Sequence, residues 1–316
     1  MEKSTKNLIN KNKVSWLSMV KKDFIKNKAL YLIILPMLIY YAIFHYGPMY
    51  GALIAFKDYT PRLGVLGSPW VGFKHFVNFF SAPSFFSLLS NTITISLTML
   101  VVEFPAAIIL ALLMNELKSQ GFSKVVQNIS YMPHFISLVV VCGMVKSFSM
   151  DTGVITNLLS LFGAPKENLL LNPSFFVPIY VGSGIWQEIG WNSIIYLAAL
   201  TGVNPSLYEA ASIDGAGKLK QLWHVTLPGI LPTIIIMLIM RMGGILNVGY
   251  EKIILLYNDV VMDTADVIST YVYRKGLLEQ SWSFSTAVNM FNSVINLMFL
   301  VATNIISKKL SDTSLW

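Results

Sequence analysis

Residues 209–228 read EAASIDGAGKLKQLWHVTLP, a polar and partly basic stretch between two strongly apolar runs, 174–203 and 229–250. Pro205 stands where proline suits a first helical turn, and Ala210, Ala211 and Ser212 line one flank with small side chains. Gly215 permits a turn after them. The spacing therefore predicts a short helix ended by glycine. A second short helix is expected over 218–224, closing at Leu227 and Pro228, because proline lacks the backbone donor that continues a helix. Residues 204–228 thus read as helix, turn, helix.

The rest of the chain is apolar in the same manner. With 54% hydrophobic and 12% charged residues in 316, and a mean hydropathy of +0.61, it is too apolar for a soluble domain of its size. A hydrocarbon core of about 30 Å needs about 20 apolar helical residues. Six stretches qualify: 30–55, 86–115, 124–148, 174–203, 229–250 and 286–307. The runs are long and continuous, without the ten-residue alternation of a membrane barrel. The expected fold class is an all-α integral membrane protein with six transmembrane helices. It divides into a basic N-terminal segment (1–29), a first transmembrane helix (30–55), an outer loop (56–85), a five-helix core (86–308) and a short tail (309–316).

Positive charge sets the orientation, because cytoplasmic loops retain Lys and Arg. With the N-terminus inside, the inner segments hold Lys3, Lys6, Lys11, Lys13, Lys21, Lys22, Lys26, Lys28, Lys118, Lys124, Lys218, Lys220, Lys308 and Lys309. The outer loops hold only Lys57, Arg62, Lys74, Lys166, Lys252, Arg274 and Lys275. Both termini and the loop 204–228 are therefore expected in the cytoplasm. No small-residue cleavage site follows the first apolar run, so that run reads as an anchor rather than a cleaved leader. The net charge of +7 comes largely from lysines ahead of the first span, where they suit anionic lipid and give no support to nucleic-acid binding.

Glu209-Ala210-Ala211, three residues, Gly215, nine residues and Val225-Thr226-Leu227-Pro228 resemble the EAA loop of ABC importer permeases, with Val225 in place of isoleucine. SPWVGFKHFVNFF (68–80), NTITIS (91–96), DTADVISTYVYRKGL (263–277), AVNMFNSVINL (287–297) and the terminal SLW extend the likeness over nearly the whole chain, to the LplB-type branch of carbohydrate importer permeases. A departure lies at 289–292, NMFN, where a glycine-containing segment is the branch's pattern. The resemblance implies a type I importer permease (MetI-like) fold in a bacterial cytoplasmic membrane. It also implies partners: a second homologous permease, two cytoplasmic ABC ATPases carrying ATP and Mg, and an extracellular sugar-binding lipoprotein. In that setting Leu207, Tyr208, Glu209, Ala210, Ala211, Ser212, Ile213, Asp214, Gly215 and Ala216 form the element that docks into an ATPase groove.

Nothing in the chain suggests catalysis or a cofactor of its own. Gly215-Ala216-Gly217-Lys218 lacks the glycine and the Ser or Thr that a phosphate loop needs, standing as it does between Ser212 and Leu219. His45, His75, His134 and His224 show no metal spacing, and the single cysteine, Cys142, reads as a packing residue. Ionisable residues within spans are costly, so Glu103, Glu188 and Arg241 are functional candidates. Arg241 and Glu103 suit either a structural ion pair or contacts with sugar hydroxyls. Trp186, Gln187, Glu188, Trp191 and Asn192 combine aromatic faces with polar groups, as sugar sites do, or form an outer aromatic belt. Asn247, among Gly243, Gly244 and Gly249, joins the candidate path, although small residues also serve close packing. The rival reading is an ion-coupled secondary transporter using Glu103 and Glu188 as proton sites, against which the absence of inverted halves counts.

Overall fold

The computed structural model describes residues 22–311 and 313–316, so most of the basic N-terminal segment lies outside the described residues. Among those described, regular structure is helical apart from one isolated antiparallel bridge between Lys57 and Trp70. The first helix, α1 (Lys28–Phe56), belongs up to Leu53 to a unit of its own. Its side chains are exposed from Lys28 to Tyr50. A helix so apolar and so exposed requires lipid or protein around it.

The second unit begins at Ile54. A segment containing α2 (Lys74–Phe80) leads into α3 (Phe85–Asn115), α4 (Gln120–Tyr131), α5 (Leu138–Phe148), α6 (Pro173–Thr201) and α7 (Pro205–Ile213). Then come α8 (Lys218–Met242), α9 (Tyr250–Leu256), α10 (Ile268–Tyr273) and α11 (Trp282–Ser311). Three clusters hold this unit together. Ala107 and Ala111 of α3 meet Tyr196 and Leu200 of α6 and Ile230 of α8, the small side chains giving close helix approach. Val141 and Val145 of α5, Phe176 and Tyr180 of α6, and Ile253 and Leu256 of α9 form a second core. Phe79 of α2, Leu88, Ile268, Tyr271 and Val288 form a third.

Four helices are both long and apolar enough to cross a membrane: α1, α3, α8 and α11. The stretch 124–148, expected as one span, is instead broken. A 3₁₀ turn, Met132–Phe135, intervenes, and the two helices bend by 99°. Pro133 removes a donor, and Ser137 caps the amide of Val140, so the chain starts a new helix there. At 11 residues α5 is about 16 Å long, too short to span alone. The bent pair counts as one span at most, for up to five. Helix α6 has 29 residues but is not among the apolar spans, because Gln187, Glu188 and Asn192 dilute it.

Proline is handled in a recurring way. Pro48, Pro105 and Pro228 each stand two residues beyond a π-helical turn, at Ala42–Tyr46, Met99–Glu103 and Leu222–Thr226. In each the following amide bonds five residues back, as Leu227 does to the Leu222 carbonyl. The wider turn relieves the clash between the ring and the preceding turn. The helix expected to close at Leu227 and Pro228 therefore continues to Met242.

Candidate functional site

Helix α7 is fixed at both ends by local chemistry. The side chain of Asn204 accepts from the Ser206 amide at 3.0 Å, with Pro205 at the first helical position. At the other end Gly215 adopts φ 74°, the Gly215 amide donates to Ser212 and the Ala216 amide to Ala211 at 2.8 Å. That pair of bonds is a Schellman termination, and its left-handed residue favours glycine. The turn is tied to α8 by Tyr208, whose hydroxyl donates to Thr226 Oγ1 at 3.1 Å, and by Gln221, whose amide donates to Ser212 Oγ and the Ala216 carbonyl. Lys218 pairs with Glu116 at 2.9 Å, joining the foot of α3 to that of α8.

The loop's apolar side chains point away from these ties. Leu207 is half-exposed and Ile213 is 86% exposed. Leu219 and Trp223, not singled out from the sequence, are exposed beside them. Their signal was two apolar residues at helical spacing in a basic stretch. Glu209 and Asp214 are exposed and form no ion pair among the described residues. Ala210 and Ala211 leave the surface low between them. Tyr208, Glu209, Ser212 and Ile213 border a concavity of about 700 Å³ with Glu116 and Lys118.

The residues expected along a transport path separate into groups. Glu103, Arg241 and Asn192 come together: Arg241 Nη2 lies 3.5 Å from Glu103 Oε2, and a groove of about 150 Å³ also meets Tyr196 and Met237. Glu103 is buried and Arg241 is two-fifths exposed, so the guanidinium keeps free donors on the groove side. Gln187, Glu188 and Trp191 instead clasp the bend between α4 and α5. His134 Nδ1 and Glu188 Oε2 lie 2.8 Å apart, and Trp191 stacks on the His134 ring at 4.3 Å. Gln187 donates to the Ile136 carbonyl, which the break frees. Gly190 makes the crossing possible, since any Cβ there would collide with the Ser130 carbonyl. Polar groups of α6 thus satisfy a non-helical turn, as a bilayer requires.

Trp186 faces elsewhere, bordering an apolar cavity of about 620 Å³ with Val141, Phe148 and Pro178. Asn247 Oδ1 accepts from Asn292 and Asn296, holding the unwound segment after α8 against α11. The NMFN segment therefore contributes a polar contact where a glycine contact was the pattern. Lys252, assigned to an outer loop, is buried. Its ammonium donates to the Tyr180 carbonyl at 2.9 Å and lies 4.7 Å from the centre of that ring. Gly184 leaves the room for it.

A capped, exposed helix–turn–helix thus stands at one end of an apolar helical unit, with charged groups paired between the helices. Residues 103–312 match the family described as binding-protein-dependent transport system inner membrane component, and the chain belongs to it. It is 46% identical over 295 residues to the polygalacturonan/rhamnogalacturonan transport system permease protein YteP of Bacillus subtilis (strain 168), covering 92% of this chain and 91% of that one. It is 42% identical over 304 residues to Protein LplB of the same organism, covering 96% and 94%. A solved bacterial ABC transporter involved in the import of the acidic polysaccharide alginate contains a chain that is 44% identical, with a TM-score of 0.84 over 93% of this chain and 99% of its own. The alginate transporter in complex with its alginate pentasaccharide-bound periplasmic protein gives the same TM-score and coverage at 43% identity. The expected family is therefore correct: a multi-pass transport permease and not an enzyme.

Proposed function

We propose that this chain is one of two homologous permease subunits of an ATP-driven, binding-protein-dependent carbohydrate importer, and that its cargo is an acidic oligosaccharide. Two similar transport systems carry names that specify polygalacturonan and alginate, both polymers of uronic acids. In this reading α6 completes the bilayer crossing with the bent pair, giving six spans with both termini cytoplasmic, in a bacterial cytoplasmic membrane. A sugar-binding protein delivers cargo from outside, and ATP with Mg is bound and hydrolysed on two separate ATPase subunits.

The observation that carries the coupling step is the exposure of Leu207 and Ile213 on a helix whose ends and base are all tied down. A protrusion that is rigid at its base and apolar at its tip can transmit a displacement of whatever holds the tip. The Arg241 guanidinium, oriented from below by Glu103, offers free donors to a sugar carboxylate or hydroxyl in the path. Glu188 and Trp191 set the shape of that path by holding the bend at 132–137.

Ile213→Cys, with Cys142→Ser to remove the one native thiol, tests the docking directly. A disulfide to a cysteine placed in the ATPase groove is expected, with a yield that changes with nucleotide. Absence of a crosslink in every nucleotide state would count against the proposal.

A further inference from the structure

At the opposite end of α3 from Glu116 and Lys218, about 45 Å away along 31 residues, the segment containing α2 folds over the start of α11. The Tyr59 amide donates to Ser283 Oγ at 2.9 Å, and Lys74 and His75 both bond Asp58. The Lys74 bond holds the Asp58 carboxyl below the usual carboxylate range. Between these groups lies a cavity of about 520 Å³, within the range of small-molecule sites. Its lining is unlike the apolar helix faces, combining Tyr59, Asn78, Gln280 and Trp282 with Lys74 and Lys275.

The polar termini of those four residues are unused. The Asn78 and Gln280 amides, the Tyr59 hydroxyl and the Trp282 indole N–H make no hydrogen bond among the described residues, whereas Lys74 and Lys275 are paired with Asp58 and Glu279. Gln280 is also the one non-glycine residue with positive φ among those described, at 54°. It lies inside the turn closed by the Ser281 amide's bond to the Lys275 carbonyl, a helix-ending turn that glycine fills at less cost. An amide side chain stands at a place where the backbone would be easier without one, and it lines the cavity. Trp282 supplies a partly exposed aromatic face. A flat ring flanked by uncommitted amides matches a sugar, whose C–H face packs on the ring while its hydroxyls bond the amides.

We propose that this cavity is an outer saccharide subsite, taking one sugar unit of the incoming oligosaccharide before the cargo enters the membrane helices. The assignment rests on the carbohydrate-transport reading above and adds a binding site to it, remote from both Arg241 and the coupling loop. The rival occupant is a side chain of the delivering protein. It is less suited to the cavity, because the two lysines there already face Asp58 and Glu279, and the groups left without a protein partner are neutral: two amides, a phenol hydroxyl and an indole N–H.

The test uses the assembled importer in lipid nanodiscs, without binding protein, titrated with a galacturonate trisaccharide. The Asn78→Ala, Gln280→Gly double variant removes two exposed amides, and glycine suits the backbone at 280, so assembly is expected intact. Its dissociation constant should rise about tenfold, the loss expected for two neutral hydrogen bonds. Affinity for unloaded binding protein should not change. Equal saccharide affinity in variant and wild type would overturn the subsite, as would no binding to the wild type at all. Loss of binding-protein affinity with unchanged saccharide affinity would overturn it in favour of protein docking. Uptake measured on the same wild-type preparation in proteoliposomes separates the two readings: uptake without trisaccharide binding removes only the subsite, whereas no ATP-driven uptake of any saccharide removes the transport reading.

Discussion

The two ends of α8 carry the same kind of interaction in opposite surroundings. At its start Lys218 meets Glu116 with both side chains more than half exposed, and at its end Arg241 meets a Glu103 that is 8% exposed. The first pair is held by water as well as by its partner, so it aligns α3 and α8 at little energetic cost or gain. The second holds a buried carboxylate, which would be left without a charged partner if Arg241 were lost. The Lys218 end is therefore built from local backbone geometry, whereas the Arg241 end is built from charges and close packing.

The contrast predicts an order of sensitivities. The largest effect belongs to Gly190→Val, which drives a side chain into the Ser130 backbone where α4 crosses α6. It should cost about 3 kcal/mol or more and remove folded protein from the membrane fraction, seen as loss of the monodisperse peak after detergent extraction. Next is Glu103→Ala, expected to cost about 2 kcal/mol, less than the loss from a fully buried pair because Arg241 is partly exposed. Lower thermal stability in detergent for Glu103→Ala and for the neutral Glu103→Gln alike would bear this out; an unchanged melting temperature would show that Arg241 is not held by Glu103.

Gly215→Ala should cost about 1 kcal/mol through its positive φ, with insertion intact and uptake reduced. Equal loss of protein level and uptake would reduce that result to a folding defect. The smallest effect is Glu116→Ala, within about 0.5 kcal/mol. A destabilisation as large as that of Glu103→Ala would erase the distinction between the two ends.

The same contrast explains what could be read from the chain alone. Pro205 and Gly215 act on their own neighbours, so α7 and its turn were legible from residue type and spacing. The family phrases were legible for the same reason, being contiguous. The Arg241 end depends on partners far apart in sequence. Lys252 counted as a loop charge because its partner is the Tyr180 carbonyl, which no side-chain pattern announces. The bend in 124–148 was hidden because averaged hydropathy passes over Pro133, although that proline and the capping Ser137 are its local cause. Pro228 misled in the other direction. It marks a helix end by its missing donor, yet a π turn absorbs it and α8 runs on. The clustering of Gln187, Glu188 and Trp191 was visible, but the clasp they form required the His134 bend to be placed opposite them.

The central claim is that exposed apolar residues of α7 pass the work of separate ATPases to the membrane helices. Leu207→Asp with Ile213→Asp tests it, because Ile213 projects into solvent and Leu207 is half-exposed, so their loss cannot empty a core. In proteoliposomes with the loaded binding protein, the variant complex is predicted to keep this chain inserted at wild-type level while ATP-driven uptake falls to background. Wild-type uptake by the double variant, or uptake driven by an ion gradient without ATP, would contradict the account.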